Sequence, residues 1–169
     1  FRFFERLRVR WVEVDMHQIV FNGHYLTYLD TAVAGYWRAL AMPLQPTMLS
    51  LGGDLFVRKA TLEYERPARY DDLLEIGIRN GRIGNTSLRL HAAVYRAEER
   101  LVQGELVYVF ADPNDAQGHV SRPVPQALRE GGVLEAPGAP APAAIAGGEV
   151  RRRQVVDLGQ NINGWVRLR

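Results

Sequence analysis

Cysteine is absent from this 169-residue chain. Disulfides, thiolate metal sites and a cysteine nucleophile are excluded with it. Lysine is nearly absent too: Lys59 stands alone among 21 basic residues, and the rest are Arg. Arg suits phosphate recognition by its planar fork, but a bias spread over a whole chain reflects composition more than a site. The net charge of +2 barely favours acidic partners, and the three Arg at 151–153 are too few for a nucleic-acid footprint. No apolar run approaches the roughly 20 residues that a membrane-spanning helix needs. The opening "FRFFERLRVR" is too charged for a signal-peptide core, so the expectation is a cytoplasmic protein without a membrane partner. Neither a G-x-S-x-G elbow nor a phosphate-binding glycine loop occurs, leaving serine-hydrolase and nucleotide-hydrolase readings unsupported. His17 and His24 lie seven apart and no cluster of carboxylates joins them, so no metal site is expected. Nothing calls for a cofactor.

What is present is apolar patterning over 47% hydrophobic residues, enough for one domain with its own core. From Glu5 to Val14 the residues alternate, Leu7, Val9 and Trp11 on one face and Arg6, Arg8 and Arg10 on the other, which predicts a half-exposed strand. Between Gly23 and Met42 the period becomes helical. Leu26, Leu29, Val33, Tyr36, Trp37 and Leu40 form the stripe, Asn22 is a good N-cap, and Pro43 and Pro46 end it. Four more strands follow, roughly Leu55 to Arg66, Leu73 to Arg82, Thr86 to Arg96 and Leu101 to Ala111, joined by turns too short for parallel crossovers. One strand, one long helix and an antiparallel meander make an α+β domain whose sheet curves around the helix. Pro123 to Glu130 suits a short helix. The boundaries expected are a domain over 1–132, an Ala/Pro/Gly-rich linker over 133–148, and a tail over 149–169 with room for one more strand.

The residue that asks for an explanation is Asp15, a carboxylate among Val14, Met16, Ile19, Val20 and Phe21, where burial is costly. It follows a strand and precedes the helix cap by seven residues, so the loop can bring it near the helix N-terminus, whose free N–H groups favour negative charge. A carbonyl bound between the two would place its oxygen on the N–H groups and its carbon towards Asp15, which would attack it or activate a water. The plainer alternative is that Asp15 caps a turn or pairs with Arg8 or Arg10. His24 reads as a helix-start residue, and Asp30 as an acid that caps or pairs.

The stretch "VRWVEVDMHQIVFNGHYLTYLDTAVAGYW" resembles the first strand, active-site loop and central helix of hotdog-fold acyl-CoA thioesterases, of the 4-hydroxybenzoyl-CoA thioesterase and YbgC-like type. The strand ending in Asp15, then Ile19, Val20, the aromatic Phe21, Tyr25 and the acidic Asp30, carry the likeness. "YERPARYDDLLEI" is similar to the second and third strands of that family and "LVYVFADP" to its fifth, so about Arg6 to Glu130 is covered. The resemblance implies a hotdog fold and hydrolysis of a small acyl-CoA thioester. Asp15 would be nucleophile or general base, and the backbone N–H of Asn22 would polarise the carbonyl. His17, Ile19, Gly23 and Tyr25 would meet the substrate, Gly23 by letting the acyl chain approach the backbone and His17 by narrowing or polarising the pocket. It also implies self-association as a homodimer or homotetramer with the site at the subunit boundary. The alternatives are a non-catalytic acyl-CoA-binding hotdog and a hotdog dehydratase, whose His-then-acid pattern His24 and Asp30 only imitate. The tail "VVDLGQNINGWVRLR" is similar to a fragment of bacterial α-L-rhamnosidases, far too short for glycosidase chemistry.

Overall fold

Alternation at the start of the chain buries Phe3, Glu5 and Leu7 on one face of β1 (Phe3–Arg8). The computed structural model describes residues 1–114, 120–133 and 154–157. After β1 come α1 (His24–Ala39), α2 (Leu44–Ser50), β2 (Asp54–Tyr64), β3 (Leu73–Ile83), β4 (Ser87–Arg96), β5 (Glu99–Ala111), α3 (Gln126–Val133) and β6 (Gln154–Asp157). The strands form one sheet in the order β2-β5-β4-β3-β1-β6. Every pairing is antiparallel except the edge pair β1 with β6, which is parallel. Helix α1 packs on β1 and β3, and its Leu29, Ala32, Val33, Tyr36 and Trp37 join Leu7, Val9, Leu74, Ile76, Ile78, Leu90 and Val94 in one buried cluster. Burying that stripe removes the apolar faces of helix and sheet from water together. The hotdog arrangement implied by the resemblance is the one formed.

The structure departs from the sequence expectations in several places. The first strand stops at Arg8, and Trp11–Glu13 is a single 3-10 turn, so Trp11 is exposed instead of sharing the face of Leu7 and Val9. The cause is an ion pair between Arg10 and Glu13, three residues apart, a spacing that a turn brings together and an extended strand holds about 10 Å apart. Helix α1 ends before Met42 because Ala41 takes a left-handed φ of +57°, and the N–H groups of Leu40, Ala41 and Met42 fold back on the carbonyls of Tyr36, Arg38 and Trp37. Leu26 shares an arc with Val33 and Trp37 but stands at the open end of the helix, uncovered by any described element, and is exposed. Finally, α2 occupies the stretch read as a terminator, with Pro46 in its first turn, where a missing N–H costs little.

α3 begins three residues later than expected and buries Leu128. Within the tail, residues 154–157 supply the extra strand, pairing with β1 so that Glu5 lies opposite Val156. The linker expected over 133–148, apart from residue 133, and the rest of the 149–169 tail lie outside the described residues. Among the described residues no helix is long and apolar enough to cross a membrane.

Candidate active site

The loop between β1 and α1 is built from the backbone outward. Val9 donates to the Asp72 carbonyl and accepts from Asp71 N–H, which fixes the exit of β1 on the turn before β3. Two short arms then face each other. Asp15 N–H donates to the Ile19 carbonyl and Phe21 N–H to that of Glu13, both at 2.9 Å, with Val14 bridged to Val20. The tip between the arms is tight: Gln18 N–H bonds the Asp15 carbonyl at 2.9 Å, and Gln18 takes a left-handed φ of +60°. Asp15 therefore lies at the tip end of a two-armed ribbon, about two residues or roughly 7 Å along it from Phe21 and the helix entrance.

The Asp15 side chain is 27% exposed. Its Oδ1 accepts the His17 N–H at 2.8 Å, and His17 Nδ1 lies 3.6 Å from the same oxygen. Oδ2 has no hydrogen-bond partner among the described residues. Half of the plainer reading of Asp15 is thus present, because the carboxylate does brace a turn. The other half is not, because Arg8 pairs with Asp71 and Arg10 with Glu13.

The acid buried in this loop is Glu13, only 2% exposed. Its Oε2 accepts Arg10 N–H at 2.7 Å and the Tyr28 hydroxyl at 2.8 Å, while Oε1 accepts Arg10 Nε at 2.8 Å and lies 2.6 Å from Nη2. Burial pushes its pKa up, but the bonds from Arg10 and Tyr28 and the nearby guanidinium outweigh that and hold it below the usual carboxylate value. Burial, with Glu13 as its acceptor, pushes the Tyr28 phenol up. Glu13 was not singled out in the sequence. The Arg10–Glu13 spacing was the available signal for it, hidden by the expectation of a strand.

At the helix entrance the first cap position is Gly23, already helical at φ −63° and ψ −29°, with no side-chain cap. Asn22, expected to cap, is exposed one residue earlier. No described group accepts the backbone N–H of Asn22 or of Gly23. Both donors are thus left unspent at an uncapped helix start. The segment around them is tied to the end of β2. Val20 N–H donates to the Ala68 carbonyl at 2.9 Å, Ala68 N–H donates to the Tyr25 hydroxyl at 3.0 Å, the Tyr25 and Tyr64 rings meet edge to face at 5.5 Å, and the Tyr64 hydroxyl donates to the Asn22 carbonyl at 3.3 Å.

Tyr25 is thus buried in this lattice of contacts, with its phenol pKa raised by burial. Ile19 is half-buried, while His17 stands in solvent beside Asp15. Beside Gly23 the space is taken by Phe21: a Cβ there would fall 2.9 Å from the ring, so the open approach expected at Gly23 is covered by an aromatic edge. His24 turns its ring onto Phe21, 6.0 Å between centroids, and Asp30 is exposed. No group of three metal-ligating side chains occurs among the described residues.

A half-exposed carboxylate with a free oxygen, set a short ribbon away from two unbonded N–H groups, can deliver an oxygen nucleophile to a carbonyl whose own oxygen rests on those donors. Comparison with known proteins agrees in kind. The family model described as thioesterase superfamily matches residues 17–103, just over half of the chain. The acyl-CoA thioester hydrolase YbgC of Escherichia coli O6:H1 is 31% identical over 108 residues, 63% of this chain and 80% of that protein. A hypothetical protein from Thermus thermophilus superposes with a TM-score of 0.70 at 20% identity, over 78% of this chain and 98% of its own. A 1,4-dihydroxy-2-naphthoyl-CoA thioesterase from Synechocystis gives 0.68 at 17% identity, over 77% and 94%. The two superpositions speak for the fold.

Proposed function

This chain belongs to the thioesterase superfamily, and from that premise we propose that it hydrolyses a small acyl-CoA thioester, with Asp15 as the oxygen base or nucleophile and the backbone N–H of Asn22 as the oxyanion donor. The observation that carries the reading is the contrast within the Asp15 carboxylate: Oδ1 is spent on His17 N–H, and Oδ2 is left for chemistry.

In the general-base form, Oδ2 takes a proton from water as the water oxygen adds to the thioester carbon. The carbonyl oxygen gains charge against the N–H donor, the C–S bond then breaks, and the proton passes to the departing CoA sulfur. In the nucleophilic form, Oδ2 adds to the carbon itself, CoA leaves as thiolate, and water cleaves the resulting anhydride. Either form uses the same two groups, and charge develops where uncapped helix N–H groups favour it.

Self-association belongs to the same proposal. The outer edge of β2 has no strand partner among the described residues, and β2 is mostly exposed, with Phe56 and Val57 uncovered. A second copy pairing there would cover an apolar edge of the kind isolated proteins avoid. It would also bring new side chains to the end of β2 where Tyr64 meets the site.

The test is thiol release from acetyl-, hexanoyl- and benzoyl-CoA by the purified chain and by Asp15→Asn, with melting temperature measured on both. Release by the wild type and its loss in an equally stable variant supports the assignment. Undiminished release by Asp15→Asn removes Asp15 from the chemistry, and binding without release by the wild type leaves an acyl-CoA carrier instead of a hydrolase.

A further inference from the structure

The helix start that offers its N–H groups begins on a glycine. Gly23 brings no side-chain cap, and Gly has the widest backbone freedom of any residue. The Asn22 carbonyl is nevertheless held by two donors, Tyr25 N–H and the Tyr64 hydroxyl, each at 3.3 Å. A peptide unit is planar, with C=O and N–H on opposite sides. Whatever grips the Asn22 oxygen therefore also sets the direction of the Gly23 N–H, whereas the Asn22 N–H belongs to the preceding peptide, whose Phe21 carbonyl accepts from His24 N–H at 2.9 Å. Tyr64 reaches in from the sheet, at the last position of β2, 42 residues along the chain. Its ring is braced edge to face on Tyr25, which Ala68 holds in turn.

We propose that Tyr64 is a positioning residue for thioester hydrolysis: its hydroxyl locks the Asn22–Gly23 peptide so that the Gly23 N–H stays aimed, beside that of Asn22, at the developing oxyanion. This rests on the proposed thioester hydrolysis at the helix entrance and adds the Gly23 N–H to that of Asn22 as a donor to the oxyanion. Tyr64 does not touch the reacting atoms in this account. It removes the reorganisation that a loose glycine-led helix start would otherwise require during the reaction. Such preorganisation acts in the transition state and not in ground-state binding.

Tyr64→Phe isolates the hydroxyl, because the ring and its contact with Tyr25 remain. Turnover of whichever of acetyl-, hexanoyl- and benzoyl-CoA the wild type cleaves fastest should fall roughly three- to tenfold, the range one neutral hydrogen bond supplies, with KM and melting temperature unchanged. In protein carrying 15N-glycine, the order parameter of the Gly23 amide should drop in the same variant alongside kcat, whereas a merely structural tyrosine would lower the melting temperature and leave kcat unchanged. Tyr64→Leu, which also removes the ring contact, should add a loss of melting temperature. Unchanged turnover in Tyr64→Phe beside a dead Asp15→Asn overturns the positioning role and leaves the thioesterase reading standing. Unchanged Gly23 order overturns it even if the chain cleaves none of the three thioesters, and a rise in KM with a matching fall in stability overturns it as well.

Discussion

Glu13 and Asp15 sit two residues apart in one loop and are treated in opposite ways. Glu13 is sealed from water, and its oxygens are met by Arg10 and Tyr28. Asp15 stands at the ribbon tip, partly exposed, with one oxygen bonded to a backbone N–H and the other left over. A saturated carboxylate has no lone pair to give a substrate and serves to hold the loop. An unsaturated one contributes less to folding and is free to react. A third acid extends the contrast. Glu5 on β1 is fully buried beneath α1, and neither of its oxygens has a hydrogen-bond partner. Its Oε2 presses so closely on Gly35 that a Cβ there would lie 1.8 Å away. Burial raises its pKa to about 7, moderated by the Arg38 charge. Burial alone thus does not tell what an acid does: Glu5 and Glu13 are equally sealed, one with no satisfied oxygen and the other with both.

The sharpest way to break this contrast is Asp15→Asn. The amide oxygen keeps the bond from His17 N–H, so the turn should persist and melting temperature should hold. Turnover should fall by at least ~10², the lower end for a positioned base. A variant that melts early but turns over normally would make Asp15 a second Glu13.

Next in size is the behaviour of Glu5 with pH. Its folded-state pKa is raised, so between about 4.5 and 7 the unfolded chain gives up a proton that the folded chain keeps. Stability should therefore fall as pH rises through that window and stay lower above it, by something on the order of 2 kcal/mol. Glu5→Gln, which imitates the neutral acid, should flatten this slope and melt higher than wild type at pH 8. Thermal unfolding at pH 5, 6, 7 and 8 reads both, and parallel curves for the two proteins would mean that Glu5 finds water or a counter-charge in solution.

These three acids also mark how far the sequence could be read. The apolar stripe Leu29, Val33 and Trp37 and the four meander strands were legible because helical and strand periods leave distinct local patterns. Asp15 and the helix entrance stood out because a charge in an apolar run violates the local pattern. Glu5 did not stand out, since it sits at an alternating position of a charged strand, and its solitude arises from packing against Gly35, 30 residues away. Glu13 was hidden by a strand reading that the Arg10 pair overrides. Tyr64 and Ala68 touch the site only through the closure of β2 and β3 around the helix, and no local pattern announces a hydrogen bond across 42 residues. The first turn of α2 was missed because Pro46 was read as a stop signal, although a proline is tolerated there.

The smallest effect expected belongs to Glu13→Gln, and it closes the comparison from the structural side. The amide keeps an acceptor for Tyr28 or for Arg10 but loses the charge, and one bond from Arg10 becomes a clash of donors. Arg10 is itself about one-third exposed, so water recovers part of the loss, and about 1–2 kcal/mol of stability should go at pH 7. The slope with pH should be opposite in sign to that of Glu5. Because the folded-state pKa of Glu13 is lowered, its contribution is complete above about pH 4.5 and disappears as pH falls through the lower folded value. Wild type and Glu13→Gln should therefore differ at pH 7 and converge in acid, whereas wild type and Glu5→Gln converge in acid and differ at pH 8 with the variant on top. Turnover in Glu13→Gln should fall less than in Asp15→Asn, since the loop it anchors loosens without losing its reactive oxygen. If Glu13→Gln abolished turnover at full stability, the saturated carboxylate would be part of the chemistry, and counting satisfied oxygens would no longer separate the two acids.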